Sequence, residues 1–147
     1  MYNCGPNTTV RNNILWENKS GGSTANAQIG GTSYTAPIYS CIQDWGSGGT
    51  GNIWSNPNFV STDPTAPWEN FLHLKNKKDT PPEESACVDA GSPGLQPKYR
   101  DFDHQSGPFD GNDDDEARRD IGADEAPTGS PGDFTYWWEN FGSAPGP

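Results

Sequence analysis

Residues 38–60 read Ile-Tyr-Ser-Cys-Ile-Gln-Asp-Trp-Gly-Ser-Gly-Gly-Thr-Gly-Asn-Ile-Trp-Ser-Asn-Pro-Asn-Phe-Val. A short β-rich run at 38–43 enters a loop made almost wholly of Gly, Ser and Thr. A second run at 52–55 follows, and Asn56-Pro57-Asn58 turns the chain before Phe59 re-enters a core. Glycine supplies left-handed backbone at no steric cost, while Asn and Pro set turns by a side-chain hydrogen bond and a fixed φ. Strand, glycine turn, strand, proline turn and buried aromatic, in that order, describe one coil of a solenoid.

On the N-terminal side, residues 8–16 form the first strand-like run. Val10, Ile14 and Trp16 share parity and point to one face, with Asn12 between them. An Asn at a corner can stack from coil to coil in an amide ladder, and it can equally be a solvent-facing strand residue. Laying 12–16 over 39–43 gives an offset of 27 residues, within the range of one β-solenoid coil. Between the two lies a polar, glycine-rich excursion at 17–35 with a short run at 27–29. Phe59-Val60 and the segment 71–74 supply further short runs, and His73 between Leu72 and Leu74 reads as a structural histidine.

The charged, proline-broken stretch 75–84 reads as a surface insertion. Residues 86–93 read as a short strand and a glycine turn, 96–119 as a loop, and 120–125 as the close of the ordered part. No 3.6-residue period is sustained anywhere, which predicts little helix.

At 147 residues the chain has room for one domain, yet only 30% of it is apolar, with 18 Gly and 14 Pro. That composition builds a poor layered core. Six Trp, five Tyr and six Phe nevertheless set it apart from disordered chains. Together these favour a thin, elongated β structure. A net charge of −11 offers no basic stripe for phosphates, which excludes nucleic acid, and disfavours anionic lipid. No apolar run is long enough to span a bilayer, and no signal peptide is visible after Met1. The low-lysine, Gly/Asn/Thr-rich character is that of secreted proteins, so an extracellular or cell-surface location is expected.

From Asp101 to Glu125 there are ten acidic residues. Asp110, Asn112, Asp114 and Glu116 place oxygen ligands at alternate positions, as a Ca²⁺ loop does, and Asp101 and Asp103 add two more. The stretch fails the EF-hand pattern, because Asp115 stands where the glycine belongs and Ile121 where the bidentate glutamate belongs. Pairing with Arg100, Arg118 and Arg119 is the competing account of the same charges. Trp45, Trp54 and Trp68 could stack on sugars, though each adjoins a turn where an aromatic also caps a core. Polysaccharide hydrolysis needs two carboxylates held across a cleft. Acids are too plentiful here for composition to single out a pair, and catalysis by this chain alone is not expected.

Residues 126–147 change character: a Pro/Gly-rich linker, an aromatic segment with Phe134, Tyr136, Trp137, Trp138 and Phe141, and a second linker. Five aromatics in eight residues are costly to leave in water, at about 25 cal/mol per Å² of apolar surface. They are expected to dock on their own domain or on a neighbour, and both alternatives stand.

Four blocks in order carry a resemblance. Asn12-Asn13-Ile14-Leu15-Trp16-Glu17-Asn18 is similar to "N-S-I-L-W-x-N". Tyr39-Ser40-Cys41-Ile42-Gln43, then Gly51-Asn52-Ile53 and Asn56-Pro57-Asn58-Phe59, is similar to "Y-S-C-I-Q … G-N-I … D-P-L-F". Leu72-His73-Leu74 and Cys87-Val88-Asp89-Ala90-Gly91 resemble "Y-H-L … S-P-C-I-D-A-G", and 120–125 resembles "D-I-G-A-Y/D-E". As a set they resemble the C-terminal portion of right-handed parallel β-helix proteins, the pectate-lyase-like superfamily of secreted and cell-surface bacterial proteins. Two departures stand out: the insertion at 75–85 separates blocks that usually run together, and the tail matches neither a dockerin nor a sorting signal.

The resemblance implies an all-β fold: a short right-handed parallel β-helix (solenoid) with a C-terminal cap over residues 1–125 and an extended aromatic tail over 126–147. It implies that catalytic and Ca²⁺-binding residues of family enzymes belong to central coils lying before Met1. The expected role is therefore a non-catalytic assembly module whose N-terminal coil is covered by another chain or a copy of itself. The alternative is a fragment of a polysaccharide-binding or polysaccharide-degrading enzyme. Cys41 and Cys87 fall in matched blocks that stack on successive coils, which leaves both a disulfide and a pair of unpaired buried thiols open. Cys4 is the third cysteine, and none shows CxxC spacing.

Overall fold

The computed structural model describes residues 8–19, 28–30, 35–46, 48–67, 70–77, 83–94, 100–102 and 107–126. Two strands, β1 (Ile14–Leu15) and β2 (Cys41–Ile42), pair in parallel, with Ile14 opposite Cys41 and Leu15 opposite Ile42. Their offset is 27 residues, and a further parallel bridge from Arg11 to Ile38 keeps it. The ladder runs from Ile38 N–H on the Val10 carbonyl (3.0 Å) to Gln43 N–H on the Leu15 carbonyl (3.0 Å).

The turns flanking the strands repeat at the same spacing. Asn12 (φ 55°) and Tyr39 (φ 48°) take the left-handed conformation before the strands, and Glu17 (φ 54°) and Asp44 (φ 57°) take it after them. Left-handed backbone is uncommon outside glycine, and here it bends each rung at matched points. This is why the strands are two residues long where the alternation of 8–16 predicts a longer one. Tyr39 is held in place by its N–H on the Thr50 carbonyl (2.8 Å) and by its ring lying against Gly51, where a Cβ would meet Cδ1 at 2.5 Å.

β2 is bonded on both sides. On its other side Ile42 N–H donates to the Ile53 carbonyl (2.9 Å) and Ile53 N–H to the Ser40 carbonyl (3.0 Å), and both Cys41 and Ile42 are fully buried. β1 is the edge of the sheet among the described residues. The expected runs at 52–55 and 71–74 appear as isolated bridges at Ile53, Phe71 and Leu74. Segments 58–61 and 71–75 zip together through Val60 N–H on the His73 carbonyl and Leu72 N–H on the Ser61 carbonyl, both 2.8 Å.

Ser85 N–H returns to the Lys75 carbonyl (2.8 Å), so the charged insertion leaves and re-enters the fold at one place. Residues 86–89, expected as strand, instead form a turn. Val88 N–H closes on the Ser85 carbonyl (3.1 Å), and Asp89 takes φ 52°. The Cys87 carbonyl accepts Ile121 N–H (2.8 Å) from the C-terminal segment as well as the longer Ala90 N–H (3.4 Å) within the turn. That segment also accepts Gly91 N–H at the Arg119 carbonyl (2.7 Å) and donates Gly122 N–H to the Asn12 carbonyl (3.2 Å).

The core is small, as the few aliphatics require: Cys41, Leu74, Cys87, Val88, Ile121 and Ala126, with Ile14, Trp16, Ile53, Phe59 and Ala90 packed against it. The described residues contain no helix, and so none long and apolar enough to cross a membrane.

Candidate functional site

Three polar side chains join β1 to the C-terminal segment. Asn12 Nδ2 donates to the Asp120 carbonyl (2.9 Å), and its Oδ1 accepts Ser92 N–H (2.8 Å). The Asp120 carboxylate accepts Asp89 N–H at Oδ1 (2.7 Å) and Ala126 N–H at Oδ2 (2.6 Å). Asp89 in turn accepts Arg118 N–H and Asn112 N–H, both at 3.0 Å. Asn12 therefore neither stacks in an amide ladder with residue 39, a tyrosine, nor faces solvent. It ties β1 to segments 80 and 108 positions away.

Burial shapes the electrostatics of this joint. It pushes the Asp120 carboxyl up to about 8, against the pull of its two N–H donors. Burial also raises Asp89, opposed by the N–H groups of Arg118, Asn112 and Gly111. Glu125 is raised to about 7, again by burial, with the Arg119 guanidinium pulling it back through an Nη1–Oε1 contact of 2.9 Å. The pair is incomplete: Glu125 Oε2 and Arg119 Nη2 are buried without a hydrogen-bond partner among the described residues. A near-neutral acid suits general acid–base work, but both Asp120 oxygens are held by backbone N–H groups and the residue is buried. Sequence reading passed over Asp89, Asp120 and Glu125. Their available signal was their contiguity with Val88, Ile121 and Ala126, apolar neighbours that all enter the core.

The acidic loop holds itself together. Asp110 accepts the N–H groups of Asp114 (3.0 Å) and Asp115 (2.9 Å), Asn112 Oδ1 accepts Asp114 N–H (3.0 Å), and Asp114 accepts Glu116 N–H (2.9 Å). Glu116 pairs with Arg118, and Lys77 stands 3.9 Å from Asp113. Asp101 sits near enough to Glu125 for its charge to help raise that carboxyl, and Asp103 lies outside the described residues. Among the described residues no three acidic, His or Cys side chains converge as a metal ion would require.

A second feature is apolar. An open groove of about 560 Å³ runs beside β1. Asn12, Ile14 and Trp16 line one part of it, Phe59 and residues 71–74 another, and Phe102 with residues 122–124 the rest. Leu72 and Phe102 are 44% and 62% exposed. His73 meets Phe102 edge-on at 6.4 Å. The Asp124 carboxylate fixes this wall by accepting Leu74 N–H (3.2 Å).

Of the tryptophans considered for sugar contact, Trp45 is half-buried with its Nε1 on the Gly48 carbonyl (2.7 Å), and Trp54 is 66% exposed. Trp68 and the aromatic segment with Phe134, Tyr136, Trp137, Trp138 and Phe141 lie outside the described residues. No protein-family model matches this chain, and comparison with curated proteins and with solved structures finds no significant match.

Proposed function

We propose that the chain is a non-catalytic structural or assembly module of an extracellular or cell-surface β-helix protein, with another chain or a second copy covering its N-terminal rung. One observation carries this reading: among the described residues β1 is a sheet edge, and the apolar groove runs beside it. An edge presents unpaired backbone N–H and C=O groups that template another strand. An apolar patch beside it supplies side-chain pockets, the combination used in recognition by strand addition. A copy that docked head to tail would form a heterologous contact, which need not close and so builds a filament. The aromatic segment 134–141 is the proposed second point of attachment.

Sedimentation velocity across a wide concentration range tests this. Growth of the particle with concentration, or of a complex with a neighbouring chain, supports assembly; a monomer at the highest concentration overturns the self-assembly form.

A carbohydrate role for a larger enzyme containing this chain is favoured by the exposure of Trp54 alone. Loss of glycan retention in Trp54→Ala supports it, and absence of any glycan binding removes it. Ca²⁺ at Asp110, Asn112, Asp114 and Glu116 is a separate proposal. A melting temperature raised by Ca²⁺ and lowered by EGTA supports it, and an unchanged value removes it.

A further inference from the structure

We propose that Cys41 and Cys87 are a cross-linking site, two core thiols that an oxidised low-molecular-weight disulfide converts into a bond between β2 and the turn at 86–89. Both residues are 0% exposed and belong to the same core cluster. They lie close enough for each thiol to perturb the other's ionisation, and Cys41 Sγ donates to the Ser55 carbonyl (3.3 Å). Each thiol sits on a fixed backbone. Cys41 is held by hydrogen bonds on both sides of its rung, and Cys87 by its N–H on Ser85 Oγ (3.1 Å) and its carbonyl under Ile121. Two thiols packed in one core cluster need less movement to bond than distant ones, which demand backbone distortion.

The chemistry balances as thiol–disulfide exchange. The hydrogen bond from Cys87 lowers the Cys41 thiol, and the same bond together with burial pushes Cys87 up. Cys41 acts as the nucleophile once opening of the core lets its thiol ionise. Its thiolate attacks one sulfur of glutathione disulfide, and glutathione leaves and takes a proton. Cys87 then gives up its proton and attacks Cys41 Sγ in the mixed disulfide, releasing the second glutathione as thiol. Two protein thiols are oxidised and one glutathione disulfide is reduced to two thiols.

Full burial has a consequence for rate. The oxidant reaches Cys41 only when the core opens, or before it closes during folding, so exchange accelerates at sub-denaturing urea. The cross-link would close a loop reaching from residue 41 to residue 87 and pin β2 to the turn that holds Asp89. An oxidising extracellular setting would favour it. It is independent of the assembly reading, since the bond forms within one chain.

The test uses the full chain carrying Cys4→Ser, equilibrated in glutathione buffers from fully reduced to fully oxidised with and without mild urea. Alkylation, intact mass and peptide mapping then follow; mapping gives the same reading in the unsubstituted chain. The expected product has lost two hydrogens, carries no glutathione, yields a linked Cys41–Cys87 peptide, and melts about 10 °C above the reduced form. Two alkylatable thiols persisting in the most oxidising buffer with urea overturn the proposal. So do stable glutathione adducts or links between chains.

Discussion

Replacing Asn12 by Ala should be among the most damaging changes to any polar side chain in this protein. Three costs add. Ser92 is buried, and its N–H loses the Asn12 Oδ1 acceptor at 2.8 Å; a buried donor left unsatisfied costs about 1–3 kcal/mol. The Asp120 carbonyl loses its bond from Nδ2 at 2.9 Å, about 0.5–1.5 kcal/mol. Asn12 also sits at φ 55°, where Ala costs roughly 1 kcal/mol more than a residue that tolerates the left-handed region. The sum is about 2.5–5.5 kcal/mol, a large part of the stability of a domain this size. Urea unfolding followed by Trp fluorescence measures it, with an unchanged m-value expected because the unfolded surface is the same. Asn12→Gly isolates the backbone term and should lose about 1 kcal/mol less than Asn12→Ala. Asn13→Ala is the control: its Nδ2 reaches only the nearby Arg11 carbonyl at the surface, so it should stay within about 0.5 kcal/mol of the parent. If Asn12→Ala matched Asn13→Ala, the joint between β1 and the C-terminal segment would not be a source of stability.

Gly91→Ala should be worse than Asn12→Ala, because the new Cβ would lie 2.5 Å from the Arg119 carbonyl oxygen and 2.7 Å from that of Asp120, both backbone. Gly46→Ala meets nothing within 4 Å and should leave the melting temperature unchanged. Stability should fall as pH rises from about 4 to about 8: Asp120 titrates near 8 when folded and Glu125 near 7, both above their ordinary values. The folded state then holds more protons than the unfolded one in that window, which makes the slope negative. Asp120→Asn should flatten this slope in urea titrations at stepped pH, and an unchanged slope would assign it elsewhere. Phe102→Glu at the groove rim should weaken self-association in sedimentation velocity while shifting the melting temperature little, since the side chain is 62% exposed.

The 27-residue offset is legible in the sequence because Ile14-Leu15 and Cys41-Ile42 are the same kind of apolar pair at that spacing, and the structure pairs those residues in register. The length of the strands is not legible. It is cut by left-handed residues at Asn12, Glu17, Tyr39 and Asp44, and nothing local in a Tyr or a Glu announces that conformation. The turn at 86–89 was hidden for a similar reason, since Cys-Val alternation reads as strand while the deciding bond comes from Ile121. Acidic residues in a chain of charge −11 read as solvated. Asp89 and Asp120 are buried because distant N–H groups at 112, 118 and 126 come to meet them. The groove escaped notice because Trp16, Phe59, Phe71 and Phe102 become neighbours only through the fold.

The residues that form the joint also explain one another. Gly91 must lack a side chain because the Arg119 and Asp120 carbonyls lie where a Cβ would be, and Asn12 Nδ2 closes the third side at 2.8 Å. Asp120 must be an acceptor at both oxygens, since Asp89 and Ala126 each bring it an N–H. Asp89 must do the same for the two ends of the acidic loop, which its carboxylate gathers through Asn112 and Arg118. Changing any one leaves a buried polar group of another unpaired. Because Asn12 and Asp120 are 108 positions apart, the joint forms only after most of the chain has been placed. Contacts of such separation are slow to make, and until they close, the β1 edge and the groove beside it stay open. Closure then fixes β1 against the C-terminal segment, with Gly122 N–H on the Asn12 carbonyl (3.2 Å).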